Sequence, residues 1–371
     1  MTTNLSDKTT HRLVLGNARD LSCIESNSVN LVVTSPPYPM IQMWDEIFAE
    51  QDSNIQTALA QGEGKEAFKL MHDLLDGVWN EVDRVLEPGG ISCINIGDAT
   101  RRVNEHFALY PNHQRIQQRF LDLGHNCLPS ILWRKVTNSP NKFMGSGTMP
   151  PSAYVTLEHE WILIFRKGDK RKFHTGAEKD NRLSSSFFWE ERNLWFSDVW
   201  HLPGTDQTLD GTNLRSRSGA YPFEIPYRLI NMFSVKNDNV LDPFVGTGTT
   251  IFAAVASERN SIGVEIDSNL IQSIFAQFNA ECVVSLNYFI YQRLERHKQF
   301  VAENRRRLRN MNAHHNTDVV TRQEEHIRLN EIEGFQFHNS EVSASYTDQP
   351  PLLAKISDRN STTREPSELV S

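Results

Sequence analysis

The sequence predicts an α/β fold organised around a mostly parallel sheet, and three observations carry that expectation. Short apolar runs alternate with amphipathic stretches over residues 11–165, and the alternation resumes over 217–290. The apolar runs stop at turn formers (Gly16, Pro36-Pro37, Gly97, Gly246), whereas the amphipathic stretches repeat near 3.6 residues. Strands joined by helices run parallel, and their ligands gather beyond the carboxyl ends of the strands. With 371 residues the chain can bury one large core, or one core with a smaller appendage.

The elements follow in order. Arg12-Leu13-Val14-Leu15-Gly16-Asn17 reads as a short buried strand ending in a glycine turn. A second strand covers residues 28–34 and stops at Pro36-Pro37, which can neither donate to a ladder nor continue a helix and so fixes a rigid loop. Residues 66–86 carry apolar positions at helical spacing, closed by Glu87-Pro88-Gly89-Gly90. A strand over 91–96 ends in Gly97-Asp98, and a helix over 112–123 is capped by Gly124. Strands over 130–133 and 160–165 are joined by a Gly/Pro/Ser-rich loop, 139–152.

Residues 166–216 break the pattern. Basic clusters (Arg166-Lys167, Lys170-Arg171-Lys172 and Arg215, with Arg217 just beyond) are interleaved there with Phe173, Phe187, Phe188, Trp189, Trp195, Phe196 and Trp200. A helix over 222–233, a strand at 240–241, a glycine loop, a helix to about 257 and a strand over 261–265 restore the alternation. A helical stretch from about 287 ends in Arg305-Arg306-Arg307-Leu308-Arg309. Beyond 312 the composition is polar, and residues 340–371 are expected to be disordered.

Composition excludes several classes. A hydrophobic fraction of 39% and a charged fraction of 23% are ordinary for a soluble domain. No apolar run approaches the roughly 20 residues of a membrane span, and residues 1–10 lack the apolar stretch of a signal peptide, so a cytoplasmic protein is expected. Cys23, Cys93, Cys127 and Cys282 form no C-x-x-C pair, which argues against a zinc site and a disulfide framework; Cys23, Cys93 and Cys282 are expected to be buried thiols. The net charge of −8 is uneven, because the 51 residues from Thr321 hold five Lys/Arg against nine Asp/Glu. Phosphate contact depends on local patches, so the total argues only weakly against nucleic acid.

Two motifs carry chemistry. Asp242-Pro243-Phe244-Val245-Gly246-Thr247-Gly248-Thr249-Thr250 lies between a predicted strand and helix, with Glu265 closing the next strand. Gly246 and Gly248 allow close backbone approach, and an acid at Glu265 can accept both hydroxyls of a ribose. A tight turn and a solvated glutamate would look similar, but strand, loop, helix, strand and acid in this order favour an adenosine-type ligand. The loop is neither G-x-G-x-x-G nor a P-loop, which disfavours a dinucleotide and a triphosphate. Ser35-Pro36-Pro37-Tyr38 is the sharper signal. An exocyclic amine on an aromatic base delocalises its lone pair into the ring; acceptors on its N–H groups favour the pyramidal, nucleophilic geometry. The Ser35 oxygen and the Pro36 carbonyl are two such acceptors, and Tyr38 offers a ring on which a base could stack, worth ~1–3 kcal/mol. A proline-stiffened surface turn is the plain alternative for this motif standing alone.

Together these residues resemble the DNA amino-methyltransferases of restriction–modification systems, over most of residues 11–270. That family carries [S/D/N]-P-P-[Y/F] and a motif like D-P-F-x-G-x-G; the catalytic motif first and the cofactor motif about 200 residues later resembles the beta-type permutation. The resemblance implies a Rossmann-like, circularly permuted S-adenosyl-L-methionine-dependent fold on a mostly parallel seven-stranded sheet. It assigns 11–165 as the catalytic half, 166–216 as the target-recognition region and 217–290 as the cofactor half, followed by a helical extension, 291–339, and the tail.

Catalysis would fall to Ser35, Pro36, Pro37 and Tyr38. Cofactor binding would fall to Asn17, Thr34, Phe223, Asp242, Pro243, Phe244, Gly246, Gly248, Thr249 and Glu265. Asn17 stands where the family often has an acid reaching the cofactor's adenine. Tyr221-Pro222-Phe223 resembles the segment that closes over the methionine end, although an ordinary helix start fits it as well. Ile131-Leu132-Trp133-Arg134-Lys135 and 158–165 also resemble the family; His159 and Glu160 are read as structural.

Ser at the head of the catalytic motif usually accompanies cytosine-N4, and Asp or Asn adenine-N6. The expected enzyme therefore methylates cytosine N4 in duplex DNA and protects it from a cognate restriction endonuclease, without metal, as a monomer or homodimer. The alternatives are an adenine-N6 enzyme, a non-catalytic nucleic-acid-binding protein with this fold, and a methyltransferase of RNA or a small molecule.

Overall fold

A computed structural model describes residues 8–135, 144–204 and 221–352. β1 (Lys8–Leu15) and β2 (Val29–Thr34) open the chain, followed by α1 (Asp45–Gln51), α2 (Ser53–Gln61), α3 (Gly64–Val85) and β3 (Leu86–Ile96). A hairpin of β4 (Ala99–Val103) and β5 (His106–Tyr110) leads to α4 (Asn112–Asp122) and β6 (Asn126–Arg134). The two-residue pair β7 (Met144–Gly145) and β8 (Ala153–Tyr154) precedes β9 (His159–Arg166), α5 (Gly176–Ser184), α6 (Trp189–Trp195) and β10 (Val199–His201). The second half holds α7 (Glu224–Phe233), β11 (Asn239–Asp242), α8 (Thr249–Ala256), β12 (Asn260–Glu265), α9 (Ser268–Gln277) and α10 (Ala280–Asn304). It ends with the pair β13 (Asn310–Asn312) and β14 (Thr317–Val319), and with β15 (Ile332–His338) and β16 (Glu341–Tyr346).

One sheet of ten strands, ordered β10-β6-β9-β3-β2-β11-β12-β1-β16-β15, organises all of this. Its centre, β3-β2-β11-β12-β1, is parallel throughout, and β9 runs against both of its neighbours. β2 is buried on both faces apart from Asn30, as expected of a central parallel strand. On one face lie α3 and α4. The buried positions Ala67, Met71, Leu75, Val78, Trp79, Val82 and Val85 repeat at helical spacing along α3 and meet Ile116 and Phe120 of α4. The other face carries α7, α8 and α10, packed through Ile225, Leu229, Ile251, Val255 and Phe289. α8 is apolar all round because every residue from Thr250 to Ala256 is buried.

Seven of the ten strands are the seven expected from the sequence; β10, β15 and β16 are additions. The tail expected to be disordered from residue 340 is ordered through β16, which pairs antiparallel with β1. Val342, Ala344 and Tyr346 alternate with polar residues, and these three face the core, so a period of two was hidden inside a polar composition. Residues 353–371 lie outside the described residues. The helical extension expected over 291–339 ends at Asn304 and gives way to β13, β14 and β15.

Residues 166–216 also differ from expectation. Phe188, Trp195 and Trp200 are core side chains at 0%, 3% and 2% exposure, and β10 adds the stretch to the sheet. Several of its cations are engaged internally: Arg171 with Asp238, and Lys167 with Asp83. Arg215 and Arg217 lie outside the described residues. Cys23, expected to be buried, is exposed, whereas Cys93 is buried and Cys282 partly so.

Candidate active site

Because β2, β11, β12 and β1 are parallel neighbours, their carboxyl ends bring Ser35, Asp242–Gly248, Glu265 and Asn17 to one edge of the sheet. The joints between them are explicit. Thr34 Oγ1 donates to Asp242 Oδ1 at 2.6 Å, tying the end of β2 to the end of β11. Val245 N–H donates to Val264 O at 3.0 Å, and Gly16 N–H to Glu265 O at 2.9 Å.

The Ser35–Tyr38 loop is fixed from below. Asn112, fully buried at the start of α4, donates through Nδ2 to Pro39 O at 3.0 Å and to Gly97 O at 2.9 Å. Its Oδ1 lies 2.9 Å from His72 Nε2. Burial lowers His72 to about 3, so the ring is neutral and donates through Nε2. Met40 takes a left-handed backbone (φ 67°) where the chain turns towards α1.

Tyr38 is packed rather than projecting, at 8% exposure, whereas Ser35 and Pro37 are half-buried. The Tyr38 hydroxyl lies 3.0 Å from Ser35 Oγ and donates to Glu160 Oε2 at 2.8 Å. Asn95 Nδ2 donates to that hydroxyl at 2.7 Å and to Glu160 Oε2 at 2.6 Å. Lys135 donates to the other Glu160 oxygen, and its ammonium lies 4.5 Å from the centre of the Trp133 ring. Burial first, and the neighbouring Glu160 carboxylate second, push the Tyr38 phenol well above its ordinary pKa. A Cβ at Gly97 would stand 3.0 Å from Tyr38 Cε2 and 3.3 Å from Glu160 Cγ, so a side chain there would press on both.

The sequence reading did not single out Asn95 and read Glu160 as structural; the structure places both against the Ser35–Tyr38 loop. The available signal was a polar residue inside the apolar run Ile94-Asn95-Ile96, and an acid at the inward register of β9.

On the cofactor side, Gly246 (φ 54°) and Gly248 (φ 88°) both take left-handed backbone, and Gly248 caps α8. A Cβ at Gly248 would meet Ile274 at 3.0 Å, whereas one at Gly246 would meet nothing nearer than Phe244 O at 3.9 Å, so Gly246 faces open space. Glu265 accepts from Gly246 N–H at 3.0 Å, Ile266 N–H at 3.0 Å and Asp267 N–H at 3.1 Å, and burial raises its carboxyl above the usual range. A glycine cradle open at Gly246, with a half-buried carboxylate bonded to its backbone, fits an adenosine-type group.

The other expected cofactor residues divide into two sets. Asp242 (3% exposed) and Thr34 (fully buried) spend their side chains on each other and on neighbours. Asp242 also accepts from Thr250 Oγ1 at 2.6 Å and from Phe244 N–H at 3.0 Å, with the Tyr221 hydroxyl at 3.5 Å. Burial lifts its carboxyl to about 6 despite those hydrogen bonds. Pro243 is buried, and Phe244 meets Trp79 edge-on. Thr249, Phe223 and Asn17 remain partly exposed along the edge. Asn17 accepts from Arg19 N–H at 3.0 Å and donates to Gln51 at 3.1 Å; Phe223 packs edge-on against Phe289. Among the described residues, no group of three or more His, Cys, Asp or Glu is placed to hold a metal, and no helix is long and apolar enough to cross a membrane.

Known proteins are similar to this chain in sequence and fold. The DNA methylase family of the N6/N4 type matches residues 29–276. The type II methyltransferase M.MthZI of Methanothermobacter thermautotrophicus is 50% identical over 324 residues, 87% of this chain and 90% of that protein. M.MjaI of Methanocaldococcus jannaschii, also a type II methyltransferase, is 51% identical over 274 residues, 71% of this chain and 89% of that protein. A Thermus thermophilus protein, provisionally assigned as a DNA modification methylase and solved with S-adenosyl-L-methionine, is 32% identical; the match covers 72% of this chain and 94% of that one at a TM-score of 0.56. The chain belongs to the N6/N4 family of DNA methylases and is an S-adenosyl-L-methionine-dependent DNA methyltransferase.

Proposed function

We propose that this methyltransferase modifies the N4 amine of cytosine within a short duplex sequence, and that Ser35–Tyr38 supplies the catalytic groups. The observation that carries the reading is the Thr34–Asp242 hydrogen bond at 2.6 Å, which locks the Ser35 loop beside the glycine cradle. Ser35 at the head of the motif, rather than Asp or Asn, supports cytosine. The target base leaves the duplex, since its amine cannot be reached within the stack. Ser35 Oγ and the Pro36 carbonyl accept from its two N–H groups and hold the nitrogen in line, with the packed Tyr38 ring bounding the site beside them. When bound, S-adenosyl-L-methionine would supply an electrophilic sulfonium methyl to the amine; its transfer would break the carbon–sulfur bond, leave the thioether as the departing group and release one amine proton to solvent. Positioning, not covalent catalysis, accounts for the acceleration.

Gly246, Gly248, Thr249, Glu265, Asn17 and Phe223 line the cofactor's place. Asp242 and Thr34 act from behind it by joining the two loops. Residues 11–165 and 217–290 form the two halves of the catalytic domain. Within 166–216, target reading falls to the parts left outside the core, such as the exposed rings of Trp189 (39%) and Phe196 (42%). A companion endonuclease with the same recognition sequence fits the role of the type II relatives.

The test is to incubate unmodified duplex DNA with the protein and S-adenosyl-L-methionine, hydrolyse it and identify the modified nucleoside by mass spectrometry. N4-methylcytosine is expected. N6-methyladenine in its place rejects the cytosine assignment.

A further inference from the structure

We propose that Glu160, Asn95 and Lys135 are positioning residues that, acting through Tyr38, lock the Ser35 hydroxyl as a hydrogen-bond acceptor towards the substrate, so that the site admits a base presenting an amine. The inference rests on the reading of Ser35 as the group that meets the target amine.

A serine hydroxyl has one hydrogen and two lone pairs, and it rotates to suit its neighbours. Left free, Ser35 could donate to a carbonyl as readily as it accepts from an amine. The Pro36 carbonyl has no hydrogen and needs no such control. At Ser35 the direction is settled by counting protons around the Tyr38 oxygen. Tyr38 O and Glu160 Oε2 stand 2.8 Å apart, a contact that needs a proton between them; the carboxylate has none to give, so the phenol donates. The phenol's single hydrogen is thereby used. Asn95 Nδ2, 2.7 Å away, fills one lone pair of the phenol oxygen. Its orientation is fixed because the same nitrogen also reaches Glu160 at 2.6 Å, and a carboxylate accepts only from N–H. The remaining contact, Ser35 Oγ to Tyr38 O at 3.0 Å, must then carry the serine's own hydrogen. Among the described residues no donor reaches either Ser35 lone pair, and Ser35, like Glu160 and Lys135, is partly open, whereas Tyr38 and Asn95 are buried.

Lys135 completes the chain by binding the other Glu160 oxygen, holding the carboxylate in place at the rim. Tyr38 keeps its proton across any working pH, because burial pushes its pKa well above the ordinary phenol value. The consequence is chemical selection. An amino group at this edge, as on cytosine or adenine, meets two acceptors, Ser35 and Pro36. A carbonyl at the same edge, as on thymine or guanine, meets two acceptors and no donor, and is rejected.

The test uses the full chain, with S-adenosyl-L-methionine affinity measured by calorimetry and labelled methyl transfer to unmodified plasmid DNA resolved into kcat and KM. Tyr38→Phe keeps the ring and removes only the hydroxyl. Glu160→Gln keeps the shape and removes the charge. Both should lower kcat by about tenfold or more, the scale of one misdirected hydrogen bond, with DNA KM and cofactor affinity within about twofold of wild type. Lys135→Met, at the rim, should lower kcat by less. Methylation at the wild-type rate by Tyr38→Phe, or a loss confined to KM, overturns the proposal. If Glu160→Gln fails to fold, Tyr38→Phe still decides; loss of cofactor binding in both shows a structural role and overturns it too. A wild-type protein that binds the cofactor but methylates no DNA rejects the functional reading itself, and the relay with it.

Discussion

Asp242 holds the Ser35 loop and the glycine loop together while sitting almost wholly out of water. Burial raises its carboxyl from 3.8 to about 6, a shift that corresponds to about 3 kcal/mol. The sign follows from the direction. Between pH 4 and 6 the folded state binds this proton more tightly than the unfolded chain, so the contribution of Asp242 to stability falls as pH rises through that window and is flat above it. Asp242→Asn removes the ionisation. Urea unfolding from pH 4 to 7 should therefore show wild type losing stability relative to Asp242→Asn up to about pH 6. A difference that stays constant across the range contradicts this account of the buried hub. The sequence placed Asp242 and Thr34 at the right edge, but not their pairing. A motif gives positions along one strand, whereas the 2.6 Å bond depends on β2 and β11 being neighbours.

Among the elements, those with a strong period were legible. The apolar repeat of α3 and the apolar run of β2 are written in single segments, and the proline pair that ends β2 is plain. Three kinds were not. α6 and β10 lie within the stretch assigned by resemblance to target recognition, and the burial of Phe188 against His297 and of Trp195 against Tyr227 is visible only once α10 and α7 are packed alongside. The β4–β5 hairpin is too short and mixed to show a period. β16 shows Val-Ser-Ala-Ser-Tyr, an alternation outweighed by its polar surroundings. That last element has a measurable consequence. β16 covers the outer edge of β1, with Ile332, Val342 and Ala344 fully buried and the Tyr346 hydroxyl 2.7 Å from Thr9 Oγ1. Deleting residues 332–371 removes these side chains, uncovers the core they pack on and leaves the edge of β1 unpaired, and should lower the melting temperature by roughly 10 °C and promote association. A truncated protein that melts like the full chain and elutes unchanged would show that the added strands carry no stability.

Across the whole molecule, the site exists because residues 29–38 and 239–265, far apart in the chain, become adjacent strands of one parallel sheet. This much was legible from two motifs, each following an apolar run, since strand ends in such a sheet share one edge. The side chains behind the catalytic loop were not legible: Asn95 and Glu160 reach Tyr38 only through the β3–β9 pairing, an antiparallel contact that no local pattern announces. The family fixes methyl transfer to DNA, and Ser35 is proposed as the group that meets the target amine. The most direct measurement is labelled methyl transfer from S-adenosyl-L-methionine to unmodified duplex DNA by wild type and Ser35→Ala side by side, with cofactor affinity recorded for both. The account predicts near-equal cofactor binding and a loss of transfer of about 100-fold or more in Ser35→Ala, comparable to removing one polar group aimed at a reacting centre. Equal transfer by the two proteins would contradict it.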